Sequence, residues 1–528
     1  LPAVDWDSLH AVDRVAYVSD FAQCVPGTRI AVLVESIPMN PKHASAPLLE
    51  SILGFVDREQ APFYSPGHKG GRTFPREFTS RLAEMDLNNL PDTDTLHCPT
   101  GGILAAQELL ADAYGVDHSY LLVGGSTAGN IAALMTTLSP GDSVLVQRNA
   151  HKSVIAGIIH SGARPVWLAP AIEERFGLAL GLATKQVEDA LDAEPGAKAL
   201  VALNPTYFGT TPDIAQLGRV CRDRGLLLLA DEAHGPHFHF HDELPLAAED
   251  AGADTVVQSI HKILSGLSQA AVLHTRGLDP ARVQKVLQLI QTTSPSFPIM
   301  ASIDFARRQM VVDGARLLGD ALALARRGRR ELAAIPGLEV LGREHVTGPS
   351  SGFFDLDETK IVVRVEELGL TGYEVQRILN RDFGVQPELG GTSHVLFILT
   401  IGNDDRDVDR MVAAMRSIAS NARGGSRAER ASSAPATAAV SNALLAIVPK
   451  VEMTPRDAFY AKSRAIDFAS AAGHVCAEVV TPYPPGIPTL MPGERITREI
   501  LTELARVRDA GCPISSSDPT LGALRVVS

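Results

Sequence analysis

Between about residues 103 and 275 the chain alternates short apolar runs with longer segments of helical pattern. The apolar runs include SYLLVG, DSVLVQ, KALVALN and LLLLADEA. Such alternation favours right-handed βαβ crossovers and a mostly parallel sheet with helices on both faces. In sheets of this kind ligands bind beyond the carboxyl ends of the strands, so the residues just after each run are the first candidates for a site.

The rest of the chain predicts smaller units around this sheet. Helical patterns at about 280–291 and 302–334 precede a second α/β unit, which ends near residue 422. The segment 422–442 is rich in Ala, Ser, Gly and Arg and lacks apolar periodicity, which predicts a flexible linker. We therefore expect an unassigned N-terminal extension (1–45), a large domain (46–335), a small α/β domain (336–421), the linker (422–442) and a C-terminal domain (443–528).

The composition excludes several classes of protein. With 45% hydrophobic and 21% charged residues, the chain is typical of a globular protein with a large core. Its apolar runs are shorter than the roughly 18 residues of a membrane span, and its net charge of −13 argues against a general nucleic-acid binder. Five cysteines without CxxC spacing predict neither a zinc site nor disulfides, and favour a reducing, cytoplasmic location. A targeting peptide before Leu1 stays open.

A glycine-rich turn follows the first run. Residues 124–130, GGSTAGN, would open a helix whose free N–H groups, together with the hydroxyls of Ser126 and Thr127, could hold a phosphate. A plain tight turn also explains this pattern. The turn is neither a Walker loop nor a GxGxxG fingerprint.

Polar residues follow three later runs. His151 could lie flat against a planar ligand or simply cap a helix. Asp231, at the end of a buried strand, needs a cation or a strong hydrogen-bond donor beside it. Lys262, in QSIHK, comes just after the run TVV, although a lone lysine there is ordinarily a surface residue.

The segment HFHFH is a separate candidate. His237, His239 and His241 would share one face of an extended segment, which invites a metal site. No fourth ligand has matching spacing, so an ordinary loop is favoured and we expect no metal.

The strand-end residues share one chemical logic. Pyridoxal phosphate requires an amine for its Schiff base, an acid beside the pyridine nitrogen and donors for its phosphate. Lys262, Asp231 and the turn at 124–130 would supply these at successive strand ends of one sheet. The sequence therefore predicts a pyridoxal-phosphate site.

Several ordered motifs carry a family resemblance, from about residue 46 to the end of the chain. SPGHKGG, DTLHCPTGG, NAHKSV, NPTYFG, DEAHGPHFHFHDELP, QSIHK, QTTSPSFPIMAS and YPPGIPTLMPGE together resemble the Orn/Lys/Arg decarboxylases of fold type I. The likeness is greatest to the short bacterial arginine/lysine decarboxylases without a wing domain. It implies a large domain of the fold-type I transferase kind, a small α/β domain and a C-terminal α+β domain. It also implies decarboxylation of a basic amino acid, with arginine favoured over lysine or ornithine.

The resemblance implies a role for each strand-end residue. Lys262 would carry the cofactor, Asp231 would pair with its pyridine nitrogen, His151 would stack on its ring and His234 would lie close by. The residues implied to bind or position the phosphate are Ser126, Thr127, Ser259 and His261.

The resemblance also implies a second subunit at the site. The family's counterpart of QTTSPS reaches the cofactor of a neighbouring subunit, so Thr292 or Thr293 is expected to do so in a homodimer or a larger homo-oligomer. A basic substrate tail needs an acidic or carbonyl-rich pocket. Asp94 and Glu494 are candidates for it, each against an ordinary capping or surface role.

Two other functions fit part of the same pattern. An aminotransferase or aldolase of fold type I would use the same cradle, Asp231 and Lys262, and only the flanking motifs argue for decarboxylation. A catalytically silent regulator could keep the fold and bind a basic amino acid or a polyamine. Intact Lys262, Asp231 and His151 argue against such a regulator.

Overall fold

The computed structural model describes residues 43, 45–90, 92–348, 350–424, 447–482, 486–509 and 511–528. The expected extension and linker therefore lie mostly outside the described residues, although residues 422–424 continue a helix. The chain forms two compact units, one ending at Arg58 and the other beginning at Glu59. In the first, a helix with proline in its first turn covers Pro47–Val56. The remaining domain boundaries stay predictions within the second unit.

The elements are numbered in chain order. The α-helices are α1 Pro47–Val56, α2 Arg76–Ser80, α3 Gly102–Ala113, α4 Gly125–Thr137, α5 Lys152–Ser161, α6 Thr184–Ala193, α7 Ile214–Arg224, α8 Ile260–Ile263, α9 Pro280–Ile290, α10 Phe297–Ala333, α11 Gly372–Phe383, α12 Asp405–Gly424, α13 Pro455–Tyr460 and α14 Arg498–Asp509. The strands are β1 Ala61–Phe63, β2 His118–Leu122, β3 Ser143–Gln147, β4 Arg164–Leu168, β5 Ile172–Glu173, β6 Leu178–Ala179, β7 Ala199–Leu203, β8 Thr210–Thr211, β9 Leu227–Asp231, β10 Thr255–Gln258, β11 Ala271–Thr275, β12 Glu339–Val340, β13 Asp355–Leu356, β14 Lys360–Arg364, β15 Val385–Pro387, β16 Leu389–Gly390, β17 His394–Ile398, β18 Ser463–Asp467, β19 Thr481–Pro482, β20 Ile514–Ser515 and β21 Ala523–Val527.

A seven-stranded sheet forms the centre of the second unit, in the order β2-β11-β10-β9-β7-β3-β4. Only β11 runs antiparallel to its neighbours β10 and β2, and the pairs from β10 to β4 are parallel. The predicted mostly parallel sheet is confirmed. The strands are almost wholly apolar because both faces are covered.

Alternate residues of each central strand pack against helices on opposite faces, as the two-residue period of a strand requires. Leu200 lies in a core cluster with Leu217 of α7, whereas the next residue, Val201, clusters with Ile158 of α5. Leu203 and Val257 stand level with Asp231 on the two strands beside β9. The carboxyl ends of β7, β9 and β10 therefore meet at one edge of the sheet.

Two smaller layers flank this sheet. The four-stranded sheet β12-β14-β17-β16 packs its apolar face on α11 and α12, with Val363, Phe397 and Met411 buried together. In the C-terminal part, β18 pairs with β21, and α14 packs against them through Leu504 and Leu524.

The HFHFH segment differs from the expectation. Phe238–Phe240 form a 3₁₀ turn, so the three histidines do not share one face of an extended segment. His237 is fully buried, with Nε2 3.3 Å from a carboxylate oxygen of Asp357, whereas His239 faces Asp250. The prediction of one shared face was wrong because the backbone turns between His237 and His241 instead of staying extended.

Within the described ranges no group of His, Cys, Asp and Glu side chains is arranged to hold a metal ion. No described helix is both long and apolar enough to cross a bilayer.

Candidate active site

A lysine–histidine contact lies at the carboxyl edge of the central sheet. Lys262 stands on α8, the short helix directly after β10, and its Nζ lies 2.9 Å from Nε2 of His234, in the turn after β9. Burial lowers the pKa of Lys262 to about 8, an effect that Asp231 and Glu388 partly oppose. Burial, followed by the charge of Lys262, holds the pKa of His234 well below its usual value. A neutral His234 can therefore accept a hydrogen bond from the lysine ammonium.

Asp231, the last residue of β9, is held by two donors. Asn130 of α4 donates from Nδ2 to Oδ2 at 2.9 Å, and the backbone N–H of Ala233 donates to Oδ1 at 3.2 Å. These two hydrogen bonds orient the side chain of Asp231, although the residue is only 5% exposed.

His151 caps helix α5, which was one of its two expected roles. Its Nδ1 accepts the backbone N–H of Ser153 at 3.2 Å and lies 2.9 Å from the Ser153 hydroxyl. Asn130 also donates to that hydroxyl at 2.9 Å. His151, Ser153, Asn130 and Asp231 therefore form one chain of hydrogen bonds. Burial lowers the pKa of His151, so its ring is neutral at neutral pH.

The glycine-rich turn opens α4, as predicted. The hydroxyls of Ser126, in the first turn of α4, and Ser259, at the end of β10, lie 2.6 Å apart. Thr127, the next residue of the same turn, is exposed. The first N–H groups of a helix have no partner within it, so the hydroxyls and these donors together can hold an anion.

The His261 ring contacts a backbone carbonyl. Its Nδ1 lies 2.9 Å from the carbonyl oxygen of Ala270, and the neighbouring carbonyl of Gln269 accepts the N–H of Gly125. Burial lowers the pKa of His261 to about 4. His261 therefore supports the turn that contacts the cradle.

Three residues that the sequence did not single out also belong to this edge. The ring of Tyr207 meets that of His234 edge to face at 4.8 Å, and its hydroxyl donates to Glu388 at 2.6 Å. Glu388 also accepts the backbone N–H of Ser65 at 3.0 Å. Tyr207 follows β7, so the strand-end rule pointed to it. Glu388 lies between β15 and β16, and no signal in the sequence links it to the central sheet.

Thr292 and Thr293 lie in the exposed loop after α9, and their backbone carbonyls contact the segment before α3. The Thr292 carbonyl lies 3.0 Å from Nε2 of His97, and the Thr293 carbonyl accepts from Asn89 at 2.7 Å. Through these two contacts the segments 88–90 and 92–97 and the QTTSPS loop form one surface.

The two candidate tail carboxylates have other partners. Asp94 accepts the backbone N–H groups of Thr95, Thr100, Gly101 and Ile103, so it caps the start of α3. Hydrogen bonds from those groups lower its pKa against the effect of burial.

Glu494 is 1% exposed, and its Oε2 lies 3.2 Å from a guanidinium nitrogen of Arg148. Burial raises the pKa of Glu494 to about 7, and Arg148 opposes that shift. In this structure Asp94 caps a helix and Glu494 pairs with Arg148, so neither is placed as a free carboxylate for a substrate tail.

A cluster of this kind defines an enzyme of amine or amino-acid chemistry. The fold agrees, since a lysine decarboxylase structure from Pseudomonas aeruginosa superposes with a TM-score of 0.72 at 23% identity, over 92% of this chain and 82% of that one. Together with other neighbours, it confirms the predicted fold-type I architecture.

The family follows from the sequence comparisons. The model of the Orn/Lys/Arg decarboxylase major domain matches residues 46–407, and that of the family's C-terminal domain matches residues 438–510. The arginine decarboxylase of Bacillus subtilis is 38% identical over 91% of this chain and 97% of its own length. The arginine decarboxylase of Halalkalibacterium halodurans is 37% identical over 92% and 98%. The chain belongs to the Orn/Lys/Arg decarboxylase family.

Proposed function

We propose that this protein decarboxylates arginine to agmatine and CO2 with pyridoxal 5′-phosphate as cofactor. The observation that carries the proposal is the contact between Lys262 and His234 beside Asp231, at adjoining strand ends of the sheet. The two relatives at 37–38% identity, both named arginine decarboxylases, favour arginine over lysine.

The polar groups at the sheet edge fit this cofactor. Nδ1 of His234 is buried and has no hydrogen-bond partner among the described residues. A buried polar atom left in that state costs about 1–3 kcal/mol, so a bound molecule that supplies a partner is favoured. The helix start with Ser126 and Ser259 suits a phosphate, and Asp231 suits a protonated ring nitrogen.

Each residue would have a separate task. Lys262 would bind the cofactor covalently, and its lowered pKa leaves part of the amine neutral and nucleophilic at neutral pH. Asp231, fixed by Asn130, would hold the proton on the ring nitrogen. His151 would pack against the ring. The bound cofactor supplies an electron sink for the pair left when the bond from Cα to the carboxylate breaks.

Proton transfer completes the reaction on the protein side. Loss of CO2 leaves Cα one proton short of the product amine. Lys262 and His234 lie at hydrogen-bond distance from each other, and one of them would donate that proton to Cα. Exclusion of water by the surrounding buried residues would favour this return over side reactions.

A homodimer would complete the site. The surface made by the segments 88–90 and 92–97 and the QTTSPS loop has exposed apolar side chains in or beside it, Leu87, Leu90 and Leu289, the last of them 72% exposed. Apolar exposure of this kind marks protein contacts. We expect this surface to bind a second copy and to present Thr292 or Thr293 to its cofactor. Leu289→Glu should sediment as a monomer and have low decarboxylase activity. Leu246→Glu, at an exposed leucine elsewhere, should keep the assembly and the activity of the unaltered protein. Leu289→Glu dimers of full activity would contradict it.

The substrate assignment has a direct test. The purified protein with the cofactor is incubated separately with arginine, lysine and ornithine, while the amine product is identified and released CO2 is trapped. Agmatine with equimolar CO2 is the expected result. Cadaverine or putrescine as main product would overturn the arginine assignment, and a keto acid without CO2 would indicate a transaminase.

A further inference from the structure

A fully buried ion pair lies behind the lysine–histidine contact. Lys360, the first residue of β14, and Asp357, in the turn before it, are both 0% exposed, and Nζ lies 2.9 Å from Oδ2. The Asp357 carboxylate also accepts the N–H and the hydroxyl of Thr359, at 3.0 and 2.6 Å. Nearby cations and these donors keep the pKa of Asp357 far below its usual value, against the effect of burial.

Stability alone explains such a pair poorly. Removing two charges from water costs several kcal/mol each, and apolar residues of similar volume in place of a buried pair are often neutral or stabilising. A reason for these two charges should therefore lie in what they contact.

The pair holds both ends of the turn that carries His234. Lys360 donates from Nζ to the backbone carbonyl of His234 at 3.3 Å, and Asp357 faces the ring of His237 at 3.3 Å. Between these two points lie only Gly235 and Pro236. The hydrogen bond from Lys360 thus connects this turn to β14 just where its first histidine meets Lys262.

The pair also places a fixed positive charge near the amine. The charged and titratable groups that act on Lys262 come from several elements: Asp231 of β9, His234 of the following turn, Glu388 between β15 and β16, and Lys360 of β14. The two carboxylates favour the ammonium form of Lys262, whereas Lys360 opposes it. Lys360 likewise disfavours protonation of His234.

We propose that Lys360, held by Asp357, is a positioning residue that acts on Lys262 through His234. It anchors the backbone carbonyl of His234, adds to the burial and the Lys262 charge that disfavour protonation of the His234 ring, and disfavours the ammonium form of Lys262. The inference rests on the proposed function, in which Lys262 carries the cofactor.

The test measures Lys262 directly. The full-length protein, freed of cofactor, is labelled with trace acetic anhydride across a pH series, and the Lys262 peptide is quantified by mass spectrometry. In Lys360→Met, we expect the labelling profile to move to higher pH, with a rate at neutral pH lower by about threefold to tenfold. Lys360→Arg keeps the positive charge and a hydrogen-bond donor, so its labelling profile should lie close to that of the unaltered protein. Lys185→Met, at an exposed lysine paired with Asp189, is the matched control and should have no effect.

A second variant covers the case in which Lys360→Met fails to fold. The double variant Asp357→Leu with Lys360→Met replaces the pair by apolar residues, which such sites commonly tolerate. We expect it to fold and still to show the shift towards higher pH. A folded single or double variant with the unchanged profile would overturn the inference.

The experiments distinguish failure of the proposed function from failure of the inference about Lys360. If the cofactor does not attach to Lys262 in the unaltered protein, the proposed function falls and this inference with it. If it attaches and the Lys360 variants label like the unaltered protein, only the inference about Lys360 falls.

Discussion

Asn130 donates a hydrogen bond of 2.9 Å to Asp231, and so connects helix α4 to the end of strand β9. The same helix carries Ser126 one turn earlier, at the candidate phosphate cradle. One helix thus fixes both the cradle and the carboxylate. The distance between them is therefore set by rigid elements, as binding of a single planar cofactor requires.

Replacing Asn130 should weaken cofactor binding. Asn130→Ala leaves a carboxylate oxygen of buried Asp231 without its donor, at a cost of about 1–3 kcal/mol. We expect about a tenfold weaker affinity for pyridoxal 5′-phosphate in a fluorescence titration. Ser153→Ala, which removes only the outer link of the chain, should weaken it less. Equal effects of the two variants would contradict the role given to Asn130.

Gly129 should be intolerant of a side chain. A Cβ there would lie 2.6 Å from Cγ1 of Val257 and 2.8 Å from Cδ1 of Leu122, so Gly129→Ala must push α4 away from the sheet. Overpacking of this kind costs about 1–3 kcal/mol. We expect a lower melting temperature and weaker cofactor binding, because the cradle moves with α4. Gly196→Ala, where a Cβ would meet nothing within 4 Å, is the control. Unchanged binding in Gly129→Ala would contradict the prediction.

The sheet and its edge were predictable because their signal is local. Continuous apolar runs separated by helical periods predict parallel strands, and the strand-end rule then locates Asp231, His151 and Lys262 without any contact information. Asn130 lies four residues after Ser126, one helical turn, so helix periodicity could also have found it.

Other parts of the site depend on packing that no local pattern encodes. Lys360 of β14 and Glu388, between β15 and β16, reach the edge from far along the chain, and only the fold shows that they face Lys262 and His234. In the HFHFH segment, likewise, no local pattern shows that His237 meets Asp357, 120 residues later. Glu494 was a candidate for a substrate tail or for a capping or surface role, and only the fold shows its pairing with Arg148.

A buried carboxyl pair behind the site should make stability depend on pH. Glu232 and Glu249 share a hydrogen bond, and burial raises the pKa of Glu249 to about 7 and that of Glu232 well above its usual value. The folded protein thus keeps protons that an unfolded glutamate releases near pH 4.5. This contribution to stability is fully present below that pH and is lost as the pH rises through about 7.

Glu249→Gln should therefore reduce the dependence of the free energy of unfolding on pH. Each retained proton contributes a slope of at most about 1.4 kcal/mol per pH unit, so the variant should gain stability relative to the unaltered protein as the pH rises. Urea unfolding at several pH values measures this difference. Glu84→Gln, at an exposed glutamate, is the control. A difference in the free energy of unfolding between Glu249→Gln and the unaltered protein that stays constant across the pH series would contradict the raised pKa of Glu249.

The pair Arg148–Glu494 should stabilise the attachment of the C-terminal part. Arg148 also donates to the carbonyl of Thr489 at 2.9 Å and lies over the ring of Trp167. Removing one partner of a buried pair costs about 3–5 kcal/mol, so Arg148→Met should lower the urea midpoint strongly. Arg148→Met with Glu494→Leu should recover much of that loss. Arg224→Met, which breaks an exposed pair, should cost less than about 1 kcal/mol. Similar losses for Arg148→Met and Arg224→Met would count against the prediction.

The most direct test of the account is to find which lysine carries the cofactor. The protein is incubated with pyridoxal 5′-phosphate, reduced with borohydride, digested and examined by mass spectrometry. Lys69 is the natural competitor, because it is 3% exposed and burial lowers its pKa to about 7. Its Nζ, however, is held by the carbonyls of Tyr64 and Ile398, at 2.5 and 3.2 Å. The account predicts the modification on Lys262 and its loss in Lys262→Ala, and modification of Lys69 or of another lysine in its place would contradict it.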